Sequence, residues 1–121
     1  MLKKLFHTLN FFIIFLYLYP GSIIGYILYN NINRQPEISP DLVILSINHF
    51  LIFFFLTISG LISFKSSTKI IIYLFGLSII LELMHIFIPK RSFQIEDLLG
   101  NLFGVIIPLF FLIFYKFWRR K

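Results

Sequence analysis

Side chains that could carry acid–base or ligand chemistry are concentrated between positions 80 and 104 of an otherwise apolar chain. Glu82 and His85 lie three residues apart, so a helix would place them on one face. Asp97 and Asn101 lie four residues apart and would share a face in the same way. Because a carboxylate beside an imidazole can exchange a proton, this segment is the candidate site.

The candidate residues form two groups by the chemistry of their side chains. Those that can exchange a proton are the candidate catalytic residues: Glu82, His49 and His85. The candidate ligand-binding residues carry cationic, carboxylate or amide groups: Arg91, Lys90, Asp97 and Asn101. A guanidinium can hold a phosphate through two parallel hydrogen bonds, so an anionic ligand is expected near Arg91.

Structural roles remain open for most of these residues. Asp97 would serve as a helix cap as readily as a ligand, and Asn101 would hydrogen-bond a neighbouring helix. His49 would be an ordinary interior histidine, and Lys90 an anchor at lipid headgroups. Glu82 differs, because carboxylates inside membrane segments are rare and usually functional.

The elements that must position these groups are apolar helices. Of the 121 residues, 59% are hydrophobic, 20% aromatic and only 13% charged, which is too apolar for a small water-soluble domain. Four apolar runs each approach the ~20 residues that a transmembrane helix needs. They cover roughly 5–28, 42–64, 70–88 and 98–117. The prediction is an all-α membrane protein, with four transmembrane helices in one antiparallel bundle and a single domain over 1–121.

Basic residues indicate the orientation of this bundle. Eight of them fall at one set of helix ends, and Arg34, Lys90 and Arg91 fall at the other. The positive-inside rule then places both termini in the cytoplasm, with the loops 30–41 and 89–97 outside. The net charge of +6 is explained by this asymmetry, so no nucleic-acid partner is predicted. The chain has no Cys, which excludes disulfides and thiolate ligands.

Helix rise places the polar groups at a similar level. Counted from the outer ends of the predicted helices, Glu82 lies about 9 Å deep, His49 about 10 Å and Asn101 about 6 Å. The first helix is expected to remain uncleaved and to kink near Pro20. Helix contacts are expected at small residues, among them Gly76, Gly100 and Gly104.

The spacing of the polar residues resembles the signature of VanZ-like membrane proteins. The matching positions are Glu82, Pro89, Arg91, Asp97, Asn101 and Gly104, and His49-Phe50 followed by an aromatic run also resembles that family. The resemblance covers 47–104. His85 stands where the family usually has Gln, Leu45 and Ser46 stand where it commonly has Asp and Lys, and Pro108 stands where it has a small residue.

The resemblance implies a multi-pass protein of the bacterial cell membrane with a role in the cell envelope. Some members of the family are associated with resistance to glycopeptide antibiotics, notably teicoplanin. The expected partners are the lipid bilayer and an anionic lipid or lipid-linked envelope precursor. Whether the protein is an enzyme, and whether it forms oligomers, is left undefined by the sequence.

Two alternatives stand beside this interpretation. The protein could be a non-enzymatic membrane scaffold or partner subunit whose polar cluster is structural. Glu82, His85 and His49 could instead form a metal site. No metal and no cofactor are predicted, because Gln, which the family usually has at the His85 position, is a poor zinc ligand.

Overall fold

The protein is an assembly of α-helices. A computed structural model describes residues 1–34 and 45–120, and within these ranges the chain forms five α-helices and no β-strand. The helices are α1 (Leu2–Leu18), α2 (Ile23–Tyr29), α3 (Ile47–Ser63), α4 (Thr68–Met84) and α5 (Ile95–Arg119). The all-α prediction is confirmed for the described residues. The predicted start of the second helix at 42 and most of the predicted outer loop 30–41 lie outside them.

The first apolar run forms two helices. Pro20 lacks the N–H that a continuing helix requires, and Tyr19 before it is extended at φ −72° and ψ 133°. Gly21 then turns the chain at φ 85°, and the Ser22 hydroxyl caps α2 by accepting from the Gly25 N–H. The axes of α1 and α2 differ by 79°. The bend falls at the proline where a kink is predicted, and it is a complete break that divides the predicted helix over 5–28 into α1 and α2.

Helices α3 and α5 make the closest contact in the bundle. A Cβ added to Gly104 would lie 2.7 Å from the Phe50 carbonyl oxygen, and one added to Gly100 would lie 2.6 Å from the Ser46 carbonyl oxygen. These two glycines therefore let the backbones approach, as their spacing predicts. The expectation for Gly76 is wrong, because a Cβ there would meet no atom within 4 Å.

The core lies between α1, α3, α4 and α5. Phe6 of α1 is 1% exposed and packs against Gly60 of α3, which has no side chain to keep the ring away. The other most deeply buried apolar side chains come from α3, α4 and α5: Phe53, Leu56, Leu74, Leu81 and Val105. One helix from each apolar run thus contributes to a shared interior.

The outer faces of these helices are also apolar. Phe11, Phe55, Ile72 and Phe110 are each more than 60% exposed. By length and apolarity, α5 could cross a bilayer, and the bent α1–α2 pair taken together could make a second crossing in the described part of the chain. Helix α3 is apolar but has 17 residues, which is shorter than the ~20 that a crossing usually takes.

Helix α4 ends earlier than its hydropathy suggests. It stops at Met84, and the chain then runs through hydrogen-bonded turns over residues 85–88. The predicted end at residue 88 is therefore wrong, and Glu82 lies in the last turn of α4. Its burial does not come from depth along a helix. It comes from the chain segments that cover the end of α4.

Candidate functional site

The polar cluster lies where four helix ends meet. Helix α4 brings Glu82 in its last turn and His85 at its C-cap, and α3 brings His49 in its first turn. Helix α5 begins two residues before Asp97 and carries Asn101 one turn later. The C-terminal end of α1 closes the cluster. Five of the sequence-predicted residues, Glu82, His85, His49, Asp97 and Asn101, therefore lie at one end of the bundle.

Glu82 lies at the centre of this cluster and is fully buried. Its Oε1 accepts a hydrogen bond from the Gln94 backbone N–H at 3.1 Å and faces His85 Nδ1 at 3.3 Å. Its Oε2 is also buried and has no hydrogen-bond partner in the described part of the chain. This second oxygen lies 3.9 Å from His49 Nε2. One carboxylate oxygen is thus held in place while the other faces His49.

His85 connects Glu82 to the end of α1. Its Nε2 donates to the Tyr17 carbonyl oxygen at 2.9 Å, since a carbonyl can only accept. Its ring stacks on the Tyr17 ring with 5.7 Å between centroids and 19° between planes. With Nε2 as the donor, Nδ1 of a neutral ring is an acceptor, so its contact with Oε1 is a hydrogen bond only when a proton lies between the two atoms. His85 therefore fixes the orientation of the Glu82 carboxylate.

His49 and Asp97 form the accessible side of the cluster. His49 Nδ1 lies 3.0 Å from the Ser46 hydroxyl and 3.5 Å from Asp97 Oδ1. The side chains of His49 and Asp97 are 18% and 17% exposed, whereas Glu82 is completely covered. A ligand would therefore reach Glu82 by way of His49 and Asp97.

Asn101 and Tyr17 form the inner wall. Asn101 is fully buried, and its amide group donates to the Ser78 carbonyl oxygen at 3.1 Å. Its Oδ1 accepts from the Tyr17 hydroxyl at 2.8 Å. Tyr17 is not predicted from the sequence, because it is one of six tyrosines beside 17 phenylalanines and has no distinguishing spacing. Its place in the cluster depends on how the end of α1 packs against α4. That tertiary contact cannot be predicted from the sequence around Tyr17.

Arg91 ties the loop after α4 to the end of α1. Its Nε donates to the Tyr19 carbonyl oxygen at 3.2 Å, and one terminal nitrogen donates to the Leu16 carbonyl oxygen at 2.8 Å. Burial lowers the pKa of Arg91 from its ordinary value, and Tyr17, Glu82 and Asp97 oppose that change. Two of its donors therefore satisfy carbonyl oxygens that the end of α1 leaves without a helical N–H partner.

Lys90 stands apart from the other predicted residues. It is exposed and has a left-handed φ of 64°. In the described part of the chain, no hydrogen bond or ion pair joins it to the cluster. The structure therefore brings together six of the seven candidate residues and leaves Lys90 on the surface beside them.

The resemblance that these polar positions suggest extends along nearly the whole chain. The family model for VanZ/LLP1 matches residues 2–118. The chain belongs to the VanZ/LLP1 family. The recognition is therefore confirmed over α1 and the end of α5 as well as over 47–104. No curated protein and no solved structure matches the chain.

The geometry explains why the residues of the VanZ-like pattern are spaced as they are in this chain. Glu82, Asp97 and Asn101 meet in the cluster, and Arg91 closes it against α1. Gly104 brings α5 against α3, the helix that carries His49. The spacing in this VanZ-family chain thus combines residues of the cluster with residues that bring its helices together.

Proposed function

We propose that this VanZ-family protein is a multi-pass protein of the bacterial cell membrane that binds or modifies an anionic, lipid-linked molecule of the cell envelope. Four passes would place both termini in the cytoplasm and the polar cluster at the outer face. The observation that carries this proposal is Glu82, a fully buried carboxylate whose free oxygen faces His49. Such a group is costly to keep in an apolar surrounding and is usually functional.

The distribution of charge supports this orientation. The cluster lies at the C-terminal ends of α1 and α4 and at the N-terminal ends of α3 and α5. Most basic residues lie at the opposite helix ends: Lys3, Lys4, Lys65, Lys69, Lys116, Arg119 and Arg120. The apolar outer faces would be solvated by lipid, because water-soluble proteins rarely expose such extensive apolar surface.

The cations beside the cluster support an anionic ligand. Lys90 is exposed at the rim, and Arg91 keeps one terminal nitrogen beyond the two donors that it uses for backbone carbonyls. A phosphate at the membrane surface would meet these charges before reaching His49. Glu82 and His49, with His85 behind Glu82, would then act as acid–base or hydrogen-bonding groups. On the family relationship, we extend the proposal to glycopeptide (teicoplanin) resistance.

A second candidate function is that of a membrane scaffold or partner subunit. The observation that favours it is the extent of internal bonding: Asn101 and His85 each use both ends of their side chains within the protein. Such a network would fix the helix ends relative to one another without any ligand. Loss of a network residue would then lower the amount of folded protein.

Replacement of Glu82 with Gln distinguishes the two functions, because it removes the carboxylate and keeps the shape. At normal abundance in the membrane, we expect E82Q to change teicoplanin susceptibility and the envelope-lipid profile. The matched control is Glu96→Gln, which removes an exposed carboxylate nearby. Unchanged susceptibility and an unchanged lipid profile in E82Q would contradict the first function. A phenotype that follows protein abundance alone would support the scaffold.

A further inference from the structure

Three potential metal ligands converge in the cluster from three different helices. They are His49 of α3, Glu82 of α4 and Asp97 of α5. One ligand atom from each residue lies within 4.8 Å of the other two. A divalent ion with bonds of about 2.1 Å would draw such atoms together by a small movement of side chains.

His49 turns one of its ring nitrogens toward Glu82. Nδ1 lies 3.0 Å from the Ser46 hydroxyl, and the tautomer that donates this hydrogen bond carries the acceptor lone pair on Nε2. That lone pair faces Glu82 Oε2 at 3.9 Å. The separation is too long for a hydrogen bond. It is shorter than two metal–ligand bonds of about 2.1 Å placed end to end, so a cation fits between the two atoms.

The Glu82 carboxylate is oriented so that one of its oxygens could also bind a cation at this position. Its Oε1 is occupied by the Gln94 N–H and by His85, while Oε2 is buried without a hydrogen-bond partner in the described residues. A buried, unpaired carboxylate oxygen is unfavourable unless a proton or a cation satisfies it. His85 is turned away from this position, because its Nε2 donates to the Tyr17 carbonyl. It therefore orients the ligand Glu82 and does not itself contact the ion.

We propose that His49, Glu82 and Asp97 bind one divalent transition-metal ion, Zn²⁺ or Mn²⁺. One imidazole and two carboxylates suit these ions, and their two negative charges balance the charge of the ion. Three protein ligands leave at least one coordination position for water or a phosphate oxygen. That position lies toward the partly exposed side chains of His49 and Asp97. The proposal does not depend on the identity of the envelope molecule.

The test is direct measurement of metal binding by the full chain in detergent micelles. The protein is stripped with a chelator, titrated with Zn²⁺ alone or Mn²⁺ alone, and analysed for bound metal after gel filtration. We expect about one ion per chain for the wild type. His49→Ala and Asp97→Asn should lose the ion, and added Zn²⁺ should raise the unfolding temperature of the wild type but not that of D97N.

Matched controls separate this site from incidental binding. His7→Ala removes an exposed histidine at the far end of α1, and Glu96→Gln removes an exposed carboxylate beside Asp97, so both should retain the ion. Ser46→Ala keeps all three ligands but loses the hydroxyl that orients His49. It should bind about 10-fold to 100-fold more weakly.

Two results would overturn the proposal. One is a wild-type chain that retains neither ion. The other is a loss of binding in the two controls equal to that in H49A and D97N. Helical circular dichroism and gel filtration check that each variant is folded, and S46A decides the matter if the ligand variants are not. Because the readout is bound metal, a negative result here leaves the envelope-lipid experiment on E82Q unaffected.

Discussion

At the scale of single residues, His85 links the end of α1 to Glu82. Its Nε2 donates to the buried Tyr17 carbonyl oxygen, and its Nδ1 faces Glu82 Oε1 at 3.3 Å. A glutamine, which the VanZ-like pattern usually has at this position, carries an amide NH₂ group that could donate a hydrogen bond to one of these oxygens. Both ring nitrogens of His85 are therefore directed at groups of the protein, and these contacts orient Glu82.

Removal of the His85 ring should destabilise the protein more than its replacement by an amide. His85→Ala leaves the buried Tyr17 carbonyl oxygen without its side-chain donor, at a cost of about 1–3 kcal/mol, and removes the imidazole partner of Glu82 Oε1. His85→Gln should recover part of that cost by donating to one of these two oxygens. Reversible unfolding in detergent, followed by circular dichroism, gives the free energy of unfolding. Equal destabilisation by Ala and Gln would show that the imidazole does not act through these hydrogen bonds.

At the scale of helices, the contact between α3 and α5 aligns the cluster. Gly100 lies against the Ser46 carbonyl and the Cβ of His49, so the same close approach that packs the helices also sets His49 beside Asp97. A displacement of α5 along α3 would separate these two side chains. Packing and site geometry are therefore linked through two glycines.

A methyl group added at Gly104 should push α3 and α5 apart. Its Cβ would lie 2.7 Å from the Phe50 carbonyl oxygen and from the Phe53 Cβ, and such overpacking costs about 1–3 kcal/mol. Gly76→Ala is the matched control, because its Cβ would meet no atom and alanine favours helix. We expect G104A to lower the free energy of unfolding and G76A to leave it unchanged or raise it. Similar values for both would contradict this account of the helix contact.

The sequence predicts the helical class, the bend at Pro20 and the meeting of Glu82, His49 and Asn101. These features follow from hydropathy, from the missing proline N–H and from the periodicity of the helix. It does not predict that α4 ends at Met84, because the apolar run continues through residues 86–88 and the next local helix stop, Pro89, comes five residues later. The sequence also does not predict that Arg91 donates to the carbonyl oxygens of Leu16 and Tyr19, because these acceptors lie 75 and 72 residues earlier in the chain.

At the scale of the whole molecule, the ends of the bundle differ in chemistry. One end carries the polar cluster with Lys90 and Arg91, and the other carries most of the basic residues. In a membrane, this asymmetry would direct the basic end to the cytoplasm. The orientation is accessible to experiment, because the chain has no cysteine of its own.

Single cysteines should report opposite sides of the membrane. Lys90→Cys should react with an impermeant thiol reagent on intact cells, since Lys90 is exposed at the end that we assign to the outside. Lys4→Cys and Arg119→Cys should react only after permeabilisation. Labelling of all three from the same side would exclude the proposed topology. Labelling of Lys4→Cys but not Arg119→Cys in intact cells would indicate an odd number of passes.

The attachment of α1 has a consequence for how the family could vary in sequence. Arg91 and His85 hold α1 through the main-chain oxygens of Leu16, Tyr17 and Tyr19, which every amino acid supplies. Homologues could therefore exchange the side chains at 16 and 19 freely and still dock this helix. A one-residue insertion or deletion before Pro20 would instead rotate all three oxygens away from their donors, so the length of this segment is constrained more tightly than its composition.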